Sequence, residues 1–226
     1  MTHHIQLKIL YKLTLTDRAR YSQLKPPELE SNLFIYHLKR TMADKLVIKN
    51  ADGSYSLSQQ GRSYADKASM GSFKVRAQPK IVNLIAVKNR DNKWLLYKRK
   101  HQPFIGRSGF PYGKIHLGET IKESSERELK EKTHLTAELK HRGDVYVTVF
   151  EGDEVLTHTL FHVHSGLHPI GQLKEATSIG YCYWSDIKTS EPDEYFPGFI
   201  EIYKLLLKPS KQRFFAEYTF RLKPSS

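Results

Sequence analysis

The stretch GKIHLGETIKESSERELKEKTHL, running from Gly113 to Leu135, decides how the chain is read. Thr120 followed by Glu123 is a capping-box pattern that opens a helix. Inside that helix Glu128 and Glu131 are three apart and share a face, and Glu119 stands at the entrance. Ile121, Ser125 and Leu129 form a stripe at a spacing of four, and the small Ser124 and Ser125 let the helix lie close to a sheet. Paired carboxylates beside a glycine-containing loop suit a hard cation, since Mg²⁺ takes oxygen ligands and keeps several waters plus substrate phosphates. Taken without its spacing, the same face also describes a charged helix surface in water.

The spacing resembles the Nudix signature: Gly, five residues, Glu, seven residues, Arg-Glu, then an apolar residue, a free position, Glu-Glu, a free position, Gly and an apolar residue. Gly113, Glu119, Arg127, Glu128, Leu129, Glu131 and Leu135 match it. Upstream, Ser108-Gly109-Phe110-Pro111-Tyr112-Gly113-Lys114 is similar to that family's glycine-rich loop, and Trp94 to Arg99 to its second strand. Downstream, Tyr183-Trp184 followed by Ser185-Asp186-Ile187 is similar to the late strand before its C-terminal helix. The resemblance covers about residues 79–207.

The resemblance implies an α/β/α sandwich with a mixed sheet. It implies hydrolysis of a nucleoside diphosphate linked to another group, with Mg²⁺ or Mn²⁺ as cofactor. Such a metal neutralises the diphosphate and lowers the pKa of a bound water. The implied catalytic residues are Glu128, Glu131 and Arg127. The implied metal ligands are Glu128, Glu131, the carbonyl of Gly113 and a later acidic residue, Glu175, with Glu151 and Glu154 as alternatives in what reads as a hairpin turn. Arg127 is expected to orient Glu119 or another carboxylate. Arg99 and Lys114 are candidates for phosphate contacts, although exposed cations are common. Phe104, Phe110, Tyr112 and Trp184 are candidates for stacking a nucleobase, and equally for core packing.

Two positions depart from the signature, and one from the loop before it. Lys132 stands where the second Glu of the pair is expected, His134 where a Gly is expected, and Tyr112 in place of the first Gly of a Gly-Gly pair. Lys132 matters most, because it reverses the charge at a metal position. At an effective dielectric near 20, an ammonium about 5 Å from Mg²⁺ costs on the order of 6 kcal/mol. A long lysine escapes that cost by keeping its head in water. Pointing inward, it would instead hold a phosphate without metal. His134 tolerates the positive φ of a helix C-terminus better than most side chains.

Working outward, Lys67 to Lys80 reads as a linker, giving domains at 1–68 and 80–226 with 69–79 between them. After it, Ile81 to Val87 reads as a buried strand, Trp94 to Tyr97 as the next, with further strands at 143–150, 155–164, 178–184 and 213–222 and a helix at Phe199–Leu207. His158, His162 and His164 share one strand face, but one strand does not supply the convergent geometry of a zinc site. Before the linker, Ile5, Ile9, Leu10 and Leu13 fit one helical face, Tyr21–Leu24 a short helix, and Glu28–Asp44 a third helix with Phe34, Ile35, Leu38 and Met42 inward. Two short strands around the Asp52-Gly53 turn follow, then a helix from Ser58 towards Ala65. This order resembles a winged helix-turn-helix, and the overall class is α+β. On the third helix Asn32, Tyr36 and Arg40, with His37 beside them, form a stripe that fits a major groove of double-stranded DNA. A winged helix also serves protein contact.

The 226 residues carry a net charge of +12, with thirteen Lys/Arg against six Asp/Glu in residues 1–78 and twenty-three against eighteen in 79–226. Such a field favours polyanions. Cys182 is the only cysteine, which excludes an internal disulfide and suits a reducing compartment. No apolar run is long enough to span a membrane, the opening MTHHIQLKIL lacks a signal-peptide layout, and a cytoplasmic protein is expected. Two functions remain open: a metal-dependent hydrolase with an accessory DNA-binding domain, and a regulator whose degenerate Nudix domain senses a nucleotide without cleaving it. A homodimer suits either.

Overall fold

Ile5, Ile9, Leu10 and Leu13 recur at helical spacing, and all four are buried along α1 (His4–Thr14). Its first turn is closed by His3, whose imidazole accepts from the Ile5 amide at 3.3 Å while Gln6 accepts from the His3 amide at 2.9 Å. A single turn, α2 (Tyr21–Leu24), leads into Lys25-Pro26-Pro27, where proline stops a helix. Next come α3 (Ser31–Ala43), the antiparallel pair β1 (Val47–Lys49) and β2 (Tyr55–Leu57), and α4 (Gln59–Lys67). Gly53 takes the positive φ of the turn between the two strands, at 81°, and Ser58 caps α4 by accepting from the Gly61 amide. Ala19 adds a bridge to Tyr55 on the outer side of β2. In this computed structural model, contacts divide the chain into two units, residues 1–78 and 79–226. It describes residues 3–69, 72–75, 77–176, 180–209 and 211–223.

Two expectations for the first unit need correction. The inward arc of α3 is Phe34, His37, Leu38 and Thr41. Ile35, placed inward above, is 37% exposed, and His37, placed in the outward stripe, is 7% exposed. The helix is turned so that His37 stacks on His3 with ring centroids 4.1 Å apart, which removes it from any groove-facing stripe. The linker is also shorter than its composition implies. Phe73 is 3% exposed and lies in the core of the first unit. Its ring meets Tyr11 edge-on, its carbonyl accepts from the Tyr64 hydroxyl, and Ala68 bridges Val75. The buried Phe73 ring and the Ala68–Val75 bridge fasten the start of this segment to the domain.

The second unit is built on a mixed sheet. Its strands are β3 (Lys80–Lys88), β4 (Trp94–Arg99), β5 (Ser108–Gly109), β6 (Tyr112–Lys114), β7 (Lys140–Glu151), β8 (Glu154–Leu167), β9 (Gly180–Ser185) and β10 (Phe214–Leu222). The main path runs β10-β7-β8-β3-β4-β5, with β6 paired to β3 and β9 to β4. β3 runs parallel to β8, and β10 parallel to β7; the remaining pairs in this sheet are antiparallel. Alternation along β3 divides its side chains between two cores. Leu84 and Ala86 face Val145, Val147 and helix α6 (Phe199–Leu206), while Ile85 and Val87 face Leu129 of helix α5 (Ile121–Thr133). A helix on each face of the sheet is the α/β/α arrangement. Among the described residues no helix is long and apolar enough to cross a membrane.

The helix α5 opens and closes as its residues dictate. Thr120 and Glu123 form the capping box, and His134 ends the helix at φ 59°. Ser124 and Ser125 are fully buried and Leu129 is 1% exposed, whereas Ile121, expected in the same stripe, is 40% exposed. The helix packs on the sheet through Ser124, Ser125 and Leu129, while at its first residue only the Ile121 carbonyl is held, by the buried Asn83 of β3 at 3.1 Å. Replacing Leu129 with Ala should therefore cost about 3 kcal/mol of the second unit's stability, from lost burial and a cavity between α5 and the sheet. Denaturant unfolding followed by a probe in that unit measures it, and a loss below about 1 kcal/mol would show that α5 is not anchored there.

Candidate functional site

The site is assembled around the guanidinium of Arg127. Its Nε donates to Glu119 Oε1 at 2.5 Å and its Nη2 to Glu119 Oε2 at 2.9 Å, a two-pronged contact that fixes the loop before α5. Nη2 also donates to the Lys114 carbonyl at 3.1 Å, which ties the end of β6 to the helix. Nη1 donates to Glu128 Oε1 at 2.8 Å and to Glu131 Oε2 at 3.2 Å. The hydrogen bonds from Arg127 hold the Glu119 carboxyl down at about 2, assisted by the His116 amide and opposed by desolvation. The same contacts raise the Arg127 pKa further above its ordinary value.

Glu128 is the most enclosed of the three carboxylates, with its side chain 8% exposed against 20% for Glu119 and 61% for Glu131. It lies directly over Gly113. A Cβ at that position would fall 1.8 Å from the Glu128 carboxyl, so only glycine fits beneath it. The other oxygen of Glu128 is taken by Lys132, whose Nζ lies 3.0 Å from Oε2. The same ammonium donates to the backbone carbonyl of Tyr112 and lies 5.7 Å from the centre of that residue's ring. Lys132 therefore points inward, one of the two orientations its sequence position left open.

This arrangement does not fit a divalent ion at Glu128. Both carboxylate oxygens already face cationic donors, and an added ion would sit beside the Lys132 ammonium with a Coulomb penalty of several kcal/mol, on the order of the 6 kcal/mol given above. Glu131 spends one oxygen on Arg127. Glu175 is exposed on the segment before β9, where its carbonyl accepts from the Cys182 amide. Among the described residues, the group of acidic, histidine or cysteine side chains that converges closely enough to hold a metal lies elsewhere, at His141, Asp144 and His162. Glu151 and Glu154 pair across the turn between β7 and β8.

A cleft opens on the α6 face of the sheet, lined by Phe104, Tyr112, Phe161, Phe196, Lys80 and Arg99 among others. Phe110 also lines it, although at 1% exposure it is chiefly core. Trp184 packs in the other core, beneath α5. Arg99 donates to the Tyr112 hydroxyl at 2.7 Å. Tyr112 thus connects the cleft, through its ring and hydroxyl, to the Lys132–Glu128 pair, through its carbonyl. Desolvation, then the nearby charges of Arg99 and Lys114, hold Lys80 below its ordinary pKa. Sequence reasoning selected Arg99 and Lys114 and missed Lys80. Its signal was positional: as the first residue of β3 it is carried to the cleft by the pairing of Val82 with Lys114. On α3 of the first unit, Asn32 and Arg40 are exposed and Tyr36 is 62% exposed. Arg40 lies 3.6 Å from Asp44.

A family model described as NUDIX domain matches residues 78–202. Over 57 residues the chain is 46% identical to an ADP-ribose pyrophosphatase of Methanocaldococcus jannaschii, a match covering 25% of this chain and about a third (34%) of that protein. The solved mMutator MutT protein from Bacillus halodurans is similar in fold, with a TM-score of 0.51 at 22% identity, covering 62% of this chain and 90% of that one. The NUDIX domain of Shewanella oneidensis NrtR, solved in complex with ADP ribose, aligns at a TM-score of 0.49 and 16% identity over 64% of this chain and 95% of that one.

The Arg127–Glu119 contact has a pH signature. Because the folded carboxyl titrates near 2, below its ordinary 4.5, its stabilisation is complete above 4.5 and is lost as pH falls towards 2. A carbon-detected NMR titration should place the Glu119 midpoint near 2 and return it to the ordinary carboxylate range in Arg127→Met. An unshifted midpoint in the unmodified protein would mean that the contact is absent in solution.

Proposed function

The chain belongs to the NUDIX domain family, and from that premise we propose that its second unit binds a nucleoside diphosphate linked to another group, of the ADP-ribose kind, and holds it without metal-dependent cleavage. The observation that carries this reading is the Lys132 ammonium seated between Glu128 Oε2 and the Tyr112 carbonyl. An ammonium has three N–H donors, and Glu128 and Tyr112 take two. The third is offered to a phosphate oxygen. Arg99, Lys80 and Lys114 supply further positive charge towards the same ligand, and the aromatic side chains of the cleft supply a stacking surface for a base. The name of the Methanocaldococcus relative supports the ligand class, through a match that spans only part of that protein.

The first unit supports a regulatory use of this binding. Three helices, a strand pair and a further helix, with a single bridge from Ala19 to Tyr55, follow the order of a winged helix-turn-helix. We infer that Asn32, Tyr36 and Arg40 face double-stranded DNA from α3, without His37. The basic balance of residues 1–78 favours that partner.

A second reading, a working pyrophosphohydrolase using Mg²⁺ or Mn²⁺ at Glu128, Glu131, the Gly113 carbonyl and Glu175, is favoured by the 46% identity to the pyrophosphatase. Calorimetry and product analysis separate the two. Under the first reading ADP-ribose binds equally well with Mg²⁺ or with a chelator, no nucleotide is released, and Lys132→Met weakens binding by roughly tenfold or more, as loss of a charged hydrogen bond does. Lys132→Glu should then acquire Mg²⁺-dependent turnover. Turnover by the unmodified protein that Glu128→Gln abolishes would establish the second reading and sink the first.

For the first unit, a gel shift on the DNA upstream of its own coding sequence should show binding that weakens steeply with salt. Asn32→Ala and Arg40→Ala should each lower sequence discrimination by about 1–3 kcal/mol. Salt-insensitive binding, or variants that discriminate like the parent, would remove α3 from the interface.

A further inference from the structure

β7 contains one residue too many for its partner. His141 pairs with His164, Gly143 with Val163 and Asp144 with His162, so Arg142 is the extra residue of a β-bulge. In a regular strand, residues three apart point to opposite faces; the bulge brings His141 and Asp144 to the same face. Arg142 turns to the other side, where its Nη2 donates to the Lys208 carbonyl at 2.8 Å beyond the end of α6. Gly143 permits the bulge. It has φ 152°, and a Cβ there would meet the Phe214 carbonyl at 2.0 Å, because β10 runs alongside.

On β8, His162 and His164 share a face by simple alternation, and the register sets them opposite Asp144 and His141. Asp144 Oδ1 lies 2.7 Å from His162 Nδ1 and 2.9 Å from His141 Nε2. All three candidate ligand atoms lie within 4.8 Å of one another. The cluster remains reachable from solvent, with side-chain exposures of 30% for His141, 36% for Asp144 and 15% for His162. The rings of His141 and His164 are 5.3 Å apart, and His164 Nδ1 is engaged with the His162 carbonyl at 3.1 Å.

We propose that His141 Nε2, Asp144 and His162 Nδ1 form a binding site for a divalent transition ion of the zinc class, separate from the α5 carboxylates. Imidazole and carboxylate donors suit zinc, and three protein ligands leave a position for water. A tetrahedral ion with bonds near 2.0–2.1 Å sets its ligands about 3.3 Å apart. Reaching that spacing requires the two contacts to Asp144 to widen by roughly half an ångström and the two histidine nitrogens, which lie within 4.8 Å of one another, to take the same spacing, by χ rotations of partly exposed side chains. The ion would then replace two hydrogen bonds converging on one carboxylate oxygen with direct bonds, and would fasten β7 to β8 at the bulge. Since each imidazole must present a lone pair, affinity falls in acid.

The test uses the full chain stripped with a chelator and titrated at neutral pH with Zn²⁺ alone, and with Co²⁺ as a spectroscopic probe. The expected result is one tight ion per chain, a visible Co²⁺ absorption of nitrogen–oxygen coordination, and a rise in Tm with Zn²⁺. His162→Gln and Asp144→Asn should each weaken binding by at least about tenfold. His141→Gln serves as a third variant should either of these fail to fold. Glu128→Gln should leave the ion in place, which keeps this result distinct from any metal at the α5 carboxylates. The proposal is overturned by absence of binding, by binding that survives His141→Gln/His162→Gln, or by binding that Glu128→Gln removes.

Discussion

Arg127 is the point through which the second unit's site holds together. One guanidinium gathers the loop before α5 through Glu119, the end of β6 through the Lys114 carbonyl, and the helix itself through Glu128 and Glu131. Planar, five-donor geometry makes this possible; the compact ammonium of a lysine has three donors on one atom and would not give the two-pronged contact to Glu119 while also reaching the Lys114 carbonyl, Glu128 and Glu131. The arrangement also explains Gly113. With Glu128 drawn down by Arg127 onto β6, a side chain at 113 would occupy the space of the carboxylate. Sheet edge, loop and helix are therefore positioned by charge, while Leu129 and the buried serines position them by packing.

Much of this was legible because it depends on short-range chemistry. The capping box of Thr120 and Glu123, the left-handed His134 and the burial of Ser124 and Ser125 all follow from residues within a few positions of one another. Lys132 was legible as an anomaly, but its direction was not. Whether a lysine snorkels or turns inward depends on the Tyr112 carbonyl, twenty residues away. The misread positions share a cause. Ile35 and His37 exchanged places: His37 is buried and stacked on His3, and no periodicity records which histidine will find another to stack on. Phe73 lay in a stretch whose composition describes a linker, yet one buried ring outweighed its polar neighbours.

The β7 bulge illustrates a stronger limit. Two strands read from alternation alone place His162 and His164 together and leave His141 and Asp144 on opposite faces. One inserted residue reverses the second statement. The sequence signal was present in Arg142-Gly143: a long cation whose carbonyl partners are Leu206, the last residue of α6, and Lys208 just after it, followed by a glycine at positive φ beside β10. Both needs are tertiary, and the bulge becomes readable only once the neighbours on each side of β7 are known. Three polar side chains meet there because two others, one bulky and one absent, had to be accommodated.

Charge balance at α5 bears on what the site can bind. Three carboxylates, Glu119, Glu128 and Glu131, face two fixed cations, Arg127 and Lys132. Had position 132 been a carboxylate, the helix and the loop before it would set four acids against Arg127, a field that draws a divalent ion. Exchanging that acid for lysine removes two units of attraction and places a donor where the ion would have stood. Beyond the Tyr112 carbonyl, which Lys132 also holds, Tyr112's ring meets a cleft with Lys80 and Arg99 in its wall. The cations that line this cleft, Lys80 and Arg99, are the charges a diphosphate held as proposed would meet on that side. Under the binding proposed for this site, metal and ligand would be competitors: an ion at Glu128 would have to displace the ammonium now 3.0 Å from its Oε2.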